Sequence, residues 1–469
     1  MNVTNRNPLQ LAVVGHTNAG KTSLLRTLTR DAGFGEVSER PATTREVARI
    51  NLGNDPAAAV ALFDTPGLED ALGLRSHLGE QLERAVDPVA GIEAFLQGDH
   101  AQGRYEQEAR VLRQMLQSDA ALLVIDSREP MRAKHRDELQ LLAACGRPLL
   151  PVLNFVADPE ADAADWRAQL ARQGQHVLAE FDTVVFDARA EDWLFEKLGL
   201  MLDAHRYRLT ALQAERREQR RATIMAACRV VAELLVDAAA LRRTTTTDQD
   251  PVPIRTAMRD QLREREQAAV AALLDLFHFE LGACQPPALP LIDGTWREDL
   301  FDPDHLREFG IRTGSAVAAG GMAGLGVDAM TGGLSLGAAT AIGAGLGAAA
   351  GATDRLIRPW WGRLRGRQVL TPDVAVLALL AARQQMLVRA LLRRGHAATR
   401  PLQSEAPGGG WPGTRLRRRV LRCRTHPGWS RLNQSLSGGA PPRVVQGIAE
   451  AVEQSLDEVP SGPVSEYRG

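Results

Sequence analysis

Six consecutive positions, Leu9-Gln10-Leu11-Ala12-Val13-Val14, form the first apolar block of the chain, short and unbroken as a buried strand is. Eight small or polar residues follow, Gly15 to Thr22. Then comes Ser23-Leu24-Leu25-Arg26-Thr27-Leu28, a helix-forming stretch, so the predicted opening is strand, tight turn, helix. Phe34 to Arg45 is polar, with Gly and Pro, and reads as a loop. Glu46 to Leu52 alternates, Gly53-Asn54-Asp55-Pro56 is a turn signal, and Ala58 to Phe63 is apolar, which together predict a hairpin. Between residues 69 and 118 the spacing predicts helices at Gly79–Ala85 and Gly103–Gln117, the second packing through Tyr105, Ala109, Leu112 and Leu116. Ala121–Asp126 and Pro148–Asn154 read as buried strands around a helix at 132–144. Thr183–Arg189 reads as a last strand and turn before a helix over 191–204. Such alternation predicts an α/β domain with a mostly parallel sheet over residues 1–205.

Beyond residue 205 the spacing turns helical. Ile224, Cys228, Val231, Leu235 and Ala238 predict a long helix over 205–245. Thr244–Pro253 reads as a linker, and Ile254–Leu281 as a second helix. Pro286–Phe309 is loop-rich, with Trp296 and Phe301 as anchors. Val374–Arg394 and residues 442–456 predict further helices. From 313 to 353 the only charge is Asp328, and glycines recur four apart at Gly320 and Gly324, Gly333 and Gly337, and Gly343, Gly347 and Gly351. Spacing of this kind lets helix backbones approach closely, either in a membrane hairpin turning near Asp328 or in a soluble helix pair. The C-terminal half is therefore expected to be mainly α-helical, divided into 206–310, a Gly/Ala-rich hairpin at 311–353, and an Arg-rich region at 354–469.

The chain has 469 residues, 44% hydrophobic, with a net charge of −1, so any pull toward polyanions is local. Its positive charge concentrates in residues 355–424, where arginines vastly outnumber Asp373 and Glu405 and lysine is absent. Arg358, Trp360, Trp361, Arg363, Arg365 and Arg367 suit a membrane–water interface, and suit nucleic acid as well. With the glycine-rich stretch beside them, peripheral membrane contact through 313–367 ranks above nucleic acid. Cys145, Cys228, Cys284 and Cys423 lie scattered, without zinc-ligand spacing or a disulfide framework. The first apolar run reads as a strand rather than a signal peptide, so the expected setting is cytoplasmic, with peripheral or inner-membrane association if 313–353 makes that contact.

Gly15-His16-Thr17-Asn18-Ala19-Gly20-Lys21-Thr22 matches G-x-x-x-x-G-K-[ST], the phosphate-binding loop. Glycines let backbone N–H groups close around phosphate, the helix beginning near Lys21 aims its positive end at the same charge, Lys21 supplies a cation, and Thr22 a hydroxyl for Mg²⁺. Asp64-Thr65-Pro66-Gly67 at a strand end provides a carboxylate for that metal and a glycine N–H for the γ-phosphate.

Gly15 to Ser23, Pro41-Ala42-Thr43-Thr44-Arg45 and Asp64-Thr65-Pro66-Gly67 together resemble the Era/TrmE-like group of bacterial small GTPases, over roughly residues 8–205. That resemblance implies GTP/GDP and Mg²⁺ as cofactors. It makes Thr44 the second hydroxyl on the metal beside Thr22 and Asp64, gives Ser38 to Thr43 further backbone contacts, and matches Asn18 to the asparagine that holds K⁺ in potassium-stimulated members. The nucleotide-contacting set is then Gly15, Asn18, Ala19, Gly20, Lys21, Thr22, Ser23, Thr43, Thr44, Asp64, Gly67, Asn154 and Asp158. Two departures stand out. Leu68 occupies the place where a water-orienting glutamine follows the sensor glycine in Ras-like enzymes, so hydrolysis is expected to be slow and to need another group, a cation or a partner. The base-reading motif Asn-Lys-x-Asp becomes Asn154-Phe155-Val156-Ala157-Asp158, with phenylalanine for lysine and the aspartate one residue late; either Asp158 swings in or base specificity is relaxed. Asp187-Ala188 is a loose match to the last base-contacting loop.

The layout resembles bacterial proteins in which an Era-like GTPase domain precedes an uncharacterised helical one. A nucleotide-controlled switch, a nucleotide-binding adaptor with little hydrolysis, and an RNA- or ribosome-associated GTPase are the three functions in play. The last rests on the arginines alone, since neither a KH-type Gly-x-x-Gly context nor the C-terminal cysteine motif of TrmE occurs. Face-to-face pairing of two G domains is a further route to catalytic groups.

Overall fold

The computed structural model describes residues 8–30, 47–84, 87–184, 186–246, 249–277, 291–292, 295–296, 300–301, 357–360, 367–393, 411–433 and 438–457. Ser38, Thr43 and Thr44, the hairpin expected at 311–353, and Trp361, Arg363 and Arg365 lie outside these. The chain divides into two compact units, Met1–Ala222 with Leu392–Pro401, and Thr223–Leu391 with Leu402–Gly469.

In the first unit, β1 (Leu9–Val14), β2 (Ala48–Leu52), β3 (Val60–Asp64), β4 (Ala120–Asp126), β5 (Leu149–Asn154) and β6 (Ala179–Glu180) form one sheet in the order β2-β3-β1-β4-β5-β6. All neighbours are parallel except β2 and β3, which make the expected antiparallel hairpin. Strand alternation sorts the core into two layers. Leu9, Leu11 and Val13 of β1 meet Leu24 and Leu28 of α1 (Lys21–Thr29) and Phe195 of α7 (Ala188–Met201). Ala12 and Val14 face the other way, toward Leu74 of α2 (Ala71–Arg84), Leu112 of α4 (Glu106–Gln117), Leu139 of α5 (Ala133–Ala143) and Trp166 of α6 (Ala163–Arg172). β1 pairs Val13 with Asp64 of β3 and Val14 with Leu123 of β4, and the first of these pairings sets the phosphate loop and the strand-end aspartate side by side.

Several local expectations change. The helix expected from Gly79 begins at Ala71, and α3 (Pro88–Gln97) follows it, entered through Asp87, whose carboxylate accepts the Val89 N–H with proline in the first turn. α6 starts in the same manner on Asp162. The last strand is β6, not Thr183–Arg189. Asp182 accepts the Val184 N–H and Asp187 the Arg189 N–H, side-chain bonds that compete with strand pairing at these two positions.

α8 (Arg206–Ala240) belongs to the first unit through Ala222. There Arg208 donates to the carbonyls of Pro56 and Ala59, Glu215 accepts the Asn54 N–H, and Arg216 and Arg220 pair with the buried Glu191 of α7.

The second unit is mainly helical. It contains the rest of α8, α9 (Val252–Leu276), α10 (Val374–Arg393), α11 (Thr414–Cys423) and α12 (Pro442–Asp457). Part of the expected linker is instead a strand, β7 (Arg243–Thr246), since consecutive threonines suit extended backbone. Beyond a two-stranded ladder of β8 (Leu291–Ile292) and β9 (Thr295–Trp296), β10 (Ile357–Trp360), β11 (Arg367–Pro372) and β7 form an antiparallel sheet with β11 central. Val374–Leu392 is the one helix among the described residues long and apolar enough to cross a membrane, and 72% of its most apolar window is buried inside the protein. Its polar residues have protein partners: Arg383 pairs with Glu266 at 3.2 Å, Gln384 donates to the same carboxylate at 3.2 Å, and Gln385 donates to Ser455 at 2.7 Å. These contacts make it a core helix of this unit. Asp237 of α8 is the other polar centre, accepting from Arg265 Nε at 2.7 Å and from the Arg431 N–H at 2.8 Å.

Candidate nucleotide site

The loop leaving β1 turns on Gly15 (φ 138°) and Gly20 (φ 94°), left-handed positions at which a Cβ would strike the Val124 carbonyl and the Asn154 amide, respectively. Asn18 is also left-handed (φ 66°) and exposed, a conformation asparagine tolerates. Ala19 and Ser23 are buried on either side of the turn into α1. Lys21 folds back over the loop and donates to the carbonyls of Gly15 (3.0 Å) and His16 (2.9 Å). Burial lowers its pKa to about 8, against the opposing charges of Asp64 and Glu138. A dehydrated ammonium held against the loop is poised for a phosphate.

Next to it, Thr22 Oγ1 donates to Asp64 Oδ2 at 2.9 Å. Asp64 is 2% exposed; burial raises its pKa, opposed by the Thr22 bond and by Lys21. Its other oxygen, Oδ1, is buried and takes no hydrogen bond. Leaving a buried acceptor unmet costs on the order of 1–3 kcal/mol, so the atom calls for a positive partner. A hydroxyl and an unmet carboxylate oxygen are hard ligands of the sort Mg²⁺ takes, and the residues present fit that ion. Gly67 packs against Thr17 so tightly that a Cβ there would meet Thr17 backbone atoms at 2.8 Å. Leu68 is fully buried in the core layer with Leu74 and Leu112.

On the base side, Asn154 is an internal brace. Its amide donates to Ala19 O at 3.0 Å, and its Oδ1 accepts from Phe155 N at 2.9 Å and Thr183 N at 3.1 Å, joining the phosphate loop to both loops beyond β5 and β6. Phe155 adopts φ 59° and stacks under the Arg128 guanidinium at 3.9 Å, which Asp126 grips with both oxygens at 2.9 and 2.6 Å. Asp158 accepts the Glu160 N–H within its own turn, while Ala157 stands where the base-reading aspartate belongs. Asp182, which the sequence did not single out, binds Ala157 N at 2.9 Å and Val184 N at 2.7 Å and so ties the two base-side loops together. A lone aspartate after a two-residue strand carries no motif, so no pattern in the sequence marks it. Asp187 caps α7 instead. The structure thus brings together Gly15, Ala19, Gly20, Lys21, Thr22, Asp64, Gly67 and Asn154 around one loop.

A family model described as 50S ribosome-binding GTPase matches residues 10–155, and one described as domain of unknown function (DUF3482) matches residues 167–450. The tRNA modification GTPase MnmE of Chloroflexus aurantiacus is 30% identical over 155 residues, 33% of this chain and 27% of that protein. A probable GTP-binding protein EngB of Anaeromyxobacter sp. strain Fw109-5 is 30% identical over 184 residues, 38% of this chain and 74% of that protein. The chain therefore spans about a quarter of the MnmE relative's length. Among solved structures, Aquifex aeolicus Era bound to GDP and AlF4⁻ is similar with a TM-score of 0.27 and 18% identity, over 37% of this chain and 50% of that one.

Proposed function

This chain belongs to the DUF3482 family and carries a GTP-binding GTPase domain ahead of that region, and from that premise we propose a slow, Mg²⁺-dependent GTPase that acts as a nucleotide-controlled switch for its helical half. The observation that carries the reading is the Lys21–Thr22–Asp64 cluster, with a buried cation, a hydroxyl and an unmet carboxylate oxygen at one loop. Slowness follows from Leu68, whose side chain is locked in the core and has no polar atom to orient water. The switch role is supported by α8, a single helix with residues in both units, whose first turns hold the Asn54–Ala59 turn leading into β3, the strand that ends in Asp64. Potassium enters through Asn18 alone, by resemblance. The test is titration of fluorescent GTP and ATP with Mg²⁺, in K⁺ and then in Na⁺, followed by hydrolysis in each salt. The reading expects GTP to bind ahead of ATP, to be hydrolysed slowly, and to turn over faster in K⁺. Equal affinity for GTP and ATP would replace guanine recognition with relaxed base specificity, in line with Ala157. Equal rates in the two salts would remove potassium.

A second reading, an RNA-associated GTPase, is favoured by α11. Leu416, Val420 and Cys423 are buried on one side, while Arg417, Arg418 and Arg422 stand exposed, with Arg415 exposed and bonded to Gln454 at 2.7 Å. No exposed large apolar side chain among the described residues lies on α11, so its outer face suits phosphates better than lipid tails. Changing Arg417, Arg418 and Arg422 to Ala should lower affinity for an RNA hairpin and flatten the slope of log K against log salt by about 2–3. An unchanged slope would leave the arginines as a solvated face.

A further inference from the structure

The segment after the strand-end aspartate is held almost atom by atom. The Gln107 amide donates to Gly67 O at 2.6 Å, Leu68 N donates to Gly15 O at 3.4 Å, and His16 Nδ1 donates to Leu68 O at 3.0 Å. The same Nδ1 lies 2.7 Å from the buried Glu138 carboxylate. Both neighbours are acceptors, so this nitrogen carries the proton. One oxygen of Glu108 accepts two successive amides, Glu69 N at 3.2 Å and Asp70 N at 2.9 Å. Glu108 is 3% exposed, and it sits with Gln107 in the first turn of α4, inside the stretch of helices that lengthens this domain between β3 and β4. A carboxylate buried to that depth is costly unless satisfied, and the two amides satisfy it.

We propose that Glu108, assisted by Gln107, is a positioning residue for the γ-phosphate: from α4 it fixes the Gly67–Asp70 backbone so that the Gly67 N–H is presented to the nucleotide. Neither side chain touches the nucleotide. They act through the backbone they hold, and through it α4 senses whether a third phosphate is present. GDP carries no γ-phosphate for the Gly67 N–H to meet, so the effect is expected to be confined to the triphosphate. The inference rests on the GTP-switch reading above.

The experiment measures, on the full chain, the dissociation constants of fluorescent GDP and of a non-hydrolysable GTP analogue with Mg²⁺, for wild type, Glu108→Ala, Glu108→Gln and Gln107→Ala. Glu108→Ala is expected to weaken the GTP analogue by about tenfold and leave GDP within about twofold. Glu108→Gln keeps an acceptor oxygen and should recover most of the loss. Gln107→Ala removes one contact without stranding a charge, so it should fold even where Glu108→Ala does not. It should weaken the analogue by about threefold, again sparing GDP. Equal losses for both nucleotides, or no loss with Gln107→Ala, would overturn the proposal and leave the pair as fold residues. A wild-type chain that binds no GTP would instead defeat the GTP-switch reading, so the two failures are told apart.

Discussion

Lys21→Ala should lower affinity for GTP by roughly 100- to 1000-fold, about 3–4 kcal/mol, within the range for deleting one partner of a buried charge pair. The ammonium is the cation at the centre of the loop and is already stripped of water, resting on the Gly15 and His16 carbonyls. Bringing in a phosphate therefore needs no further dehydration of Lys21, and its charge acts at full strength. Lys21→Arg should not restore binding, because a planar fork cannot occupy the place of a compact ammonium over the loop. A pH dependence follows from the same burial. In the free protein the Lys21 pKa is lowered to about 8, and a bound phosphate raises it again. Below pH 8 the lysine is charged in both states and affinity is flat in this group. Above pH 8 the free lysine is neutral, binding must take up a proton, and affinity should fall by up to about tenfold per pH unit until the bound-state pKa is reached. Isothermal titration from pH 7 to 10 in two buffers of different ionisation heat reads both the affinity and the proton taken up. A profile flat from pH 7 to 10 would mean that Lys21 does not bind the phosphate as the charged partner.

The second large effect lies in the helical half. Asp237→Ala should destabilise that unit by about 3 kcal/mol, at the lower end of the range for a broken buried pair. One carboxylate on α8 binds two further segments through three groups: Arg265 Nε of α9 at 2.7 Å, the Arg431 N–H at 2.8 Å, and the Arg431 guanidinium at 3.0 Å, while Ser430 Oγ donates to the Asp237 carbonyl at 2.7 Å. Arg431 remains 55% exposed and can return to water, but Arg265 cannot do so without moving its helix. Asp237→Asn keeps two oxygens' worth of geometry only in part and should cost about half as much. Urea unfolding followed by a probe in the second unit reads the shift in midpoint, and GTP affinity serves as the control, since no residue of the nucleotide loop is involved. A midpoint unmoved by Asp237→Ala would show that the three segments hold together without it.

Much of the nucleotide domain was legible in the chain because its elements announce themselves locally. An apolar strand, a glycine turn and a lysine at one spacing can build only one kind of loop, and the resemblance drawn from Gly15–Ser23 and Asp64–Gly67 is borne out by the GTPase match over residues 10–155. The parallel sheet followed from strands separated by helices. What escaped was decided by tertiary pairing. β6 is two residues long and exists because Leu153 and Val152 offer it an edge. Asp182 acts only once β5 and β6 have brought Ala157 within reach. In the sequence Glu108 is one charge among several on α4, and its burial under the Gly67–Asp70 backbone has no one-dimensional signature. Asn154 keeps the place of the base-reading asparagine, and the bonds its side chain makes to Ala19, Phe155 and Thr183 have no signature in the motif. In the second half, β7 was hidden because its partner strand β11 lies more than a hundred residues later.

That separation recurs throughout the helical unit and bears on how it is made. Glu266 waits for Gln384 across 118 residues, Asp237 for Arg431 across 194, and Ala240 for Asn433 across 193. Contacts so distant along the chain form slowly, since each closes a long loop before it is rewarded. A chain emerging from its N-terminal end has the whole nucleotide domain in hand while α8 and α9 still lack their partners. For that interval the apolar faces of α8 and α9, and then of α10, are exposed in a protein whose GTPase domain can already be complete. Synthesis therefore places the moment of greatest aggregation risk late, in the helical unit.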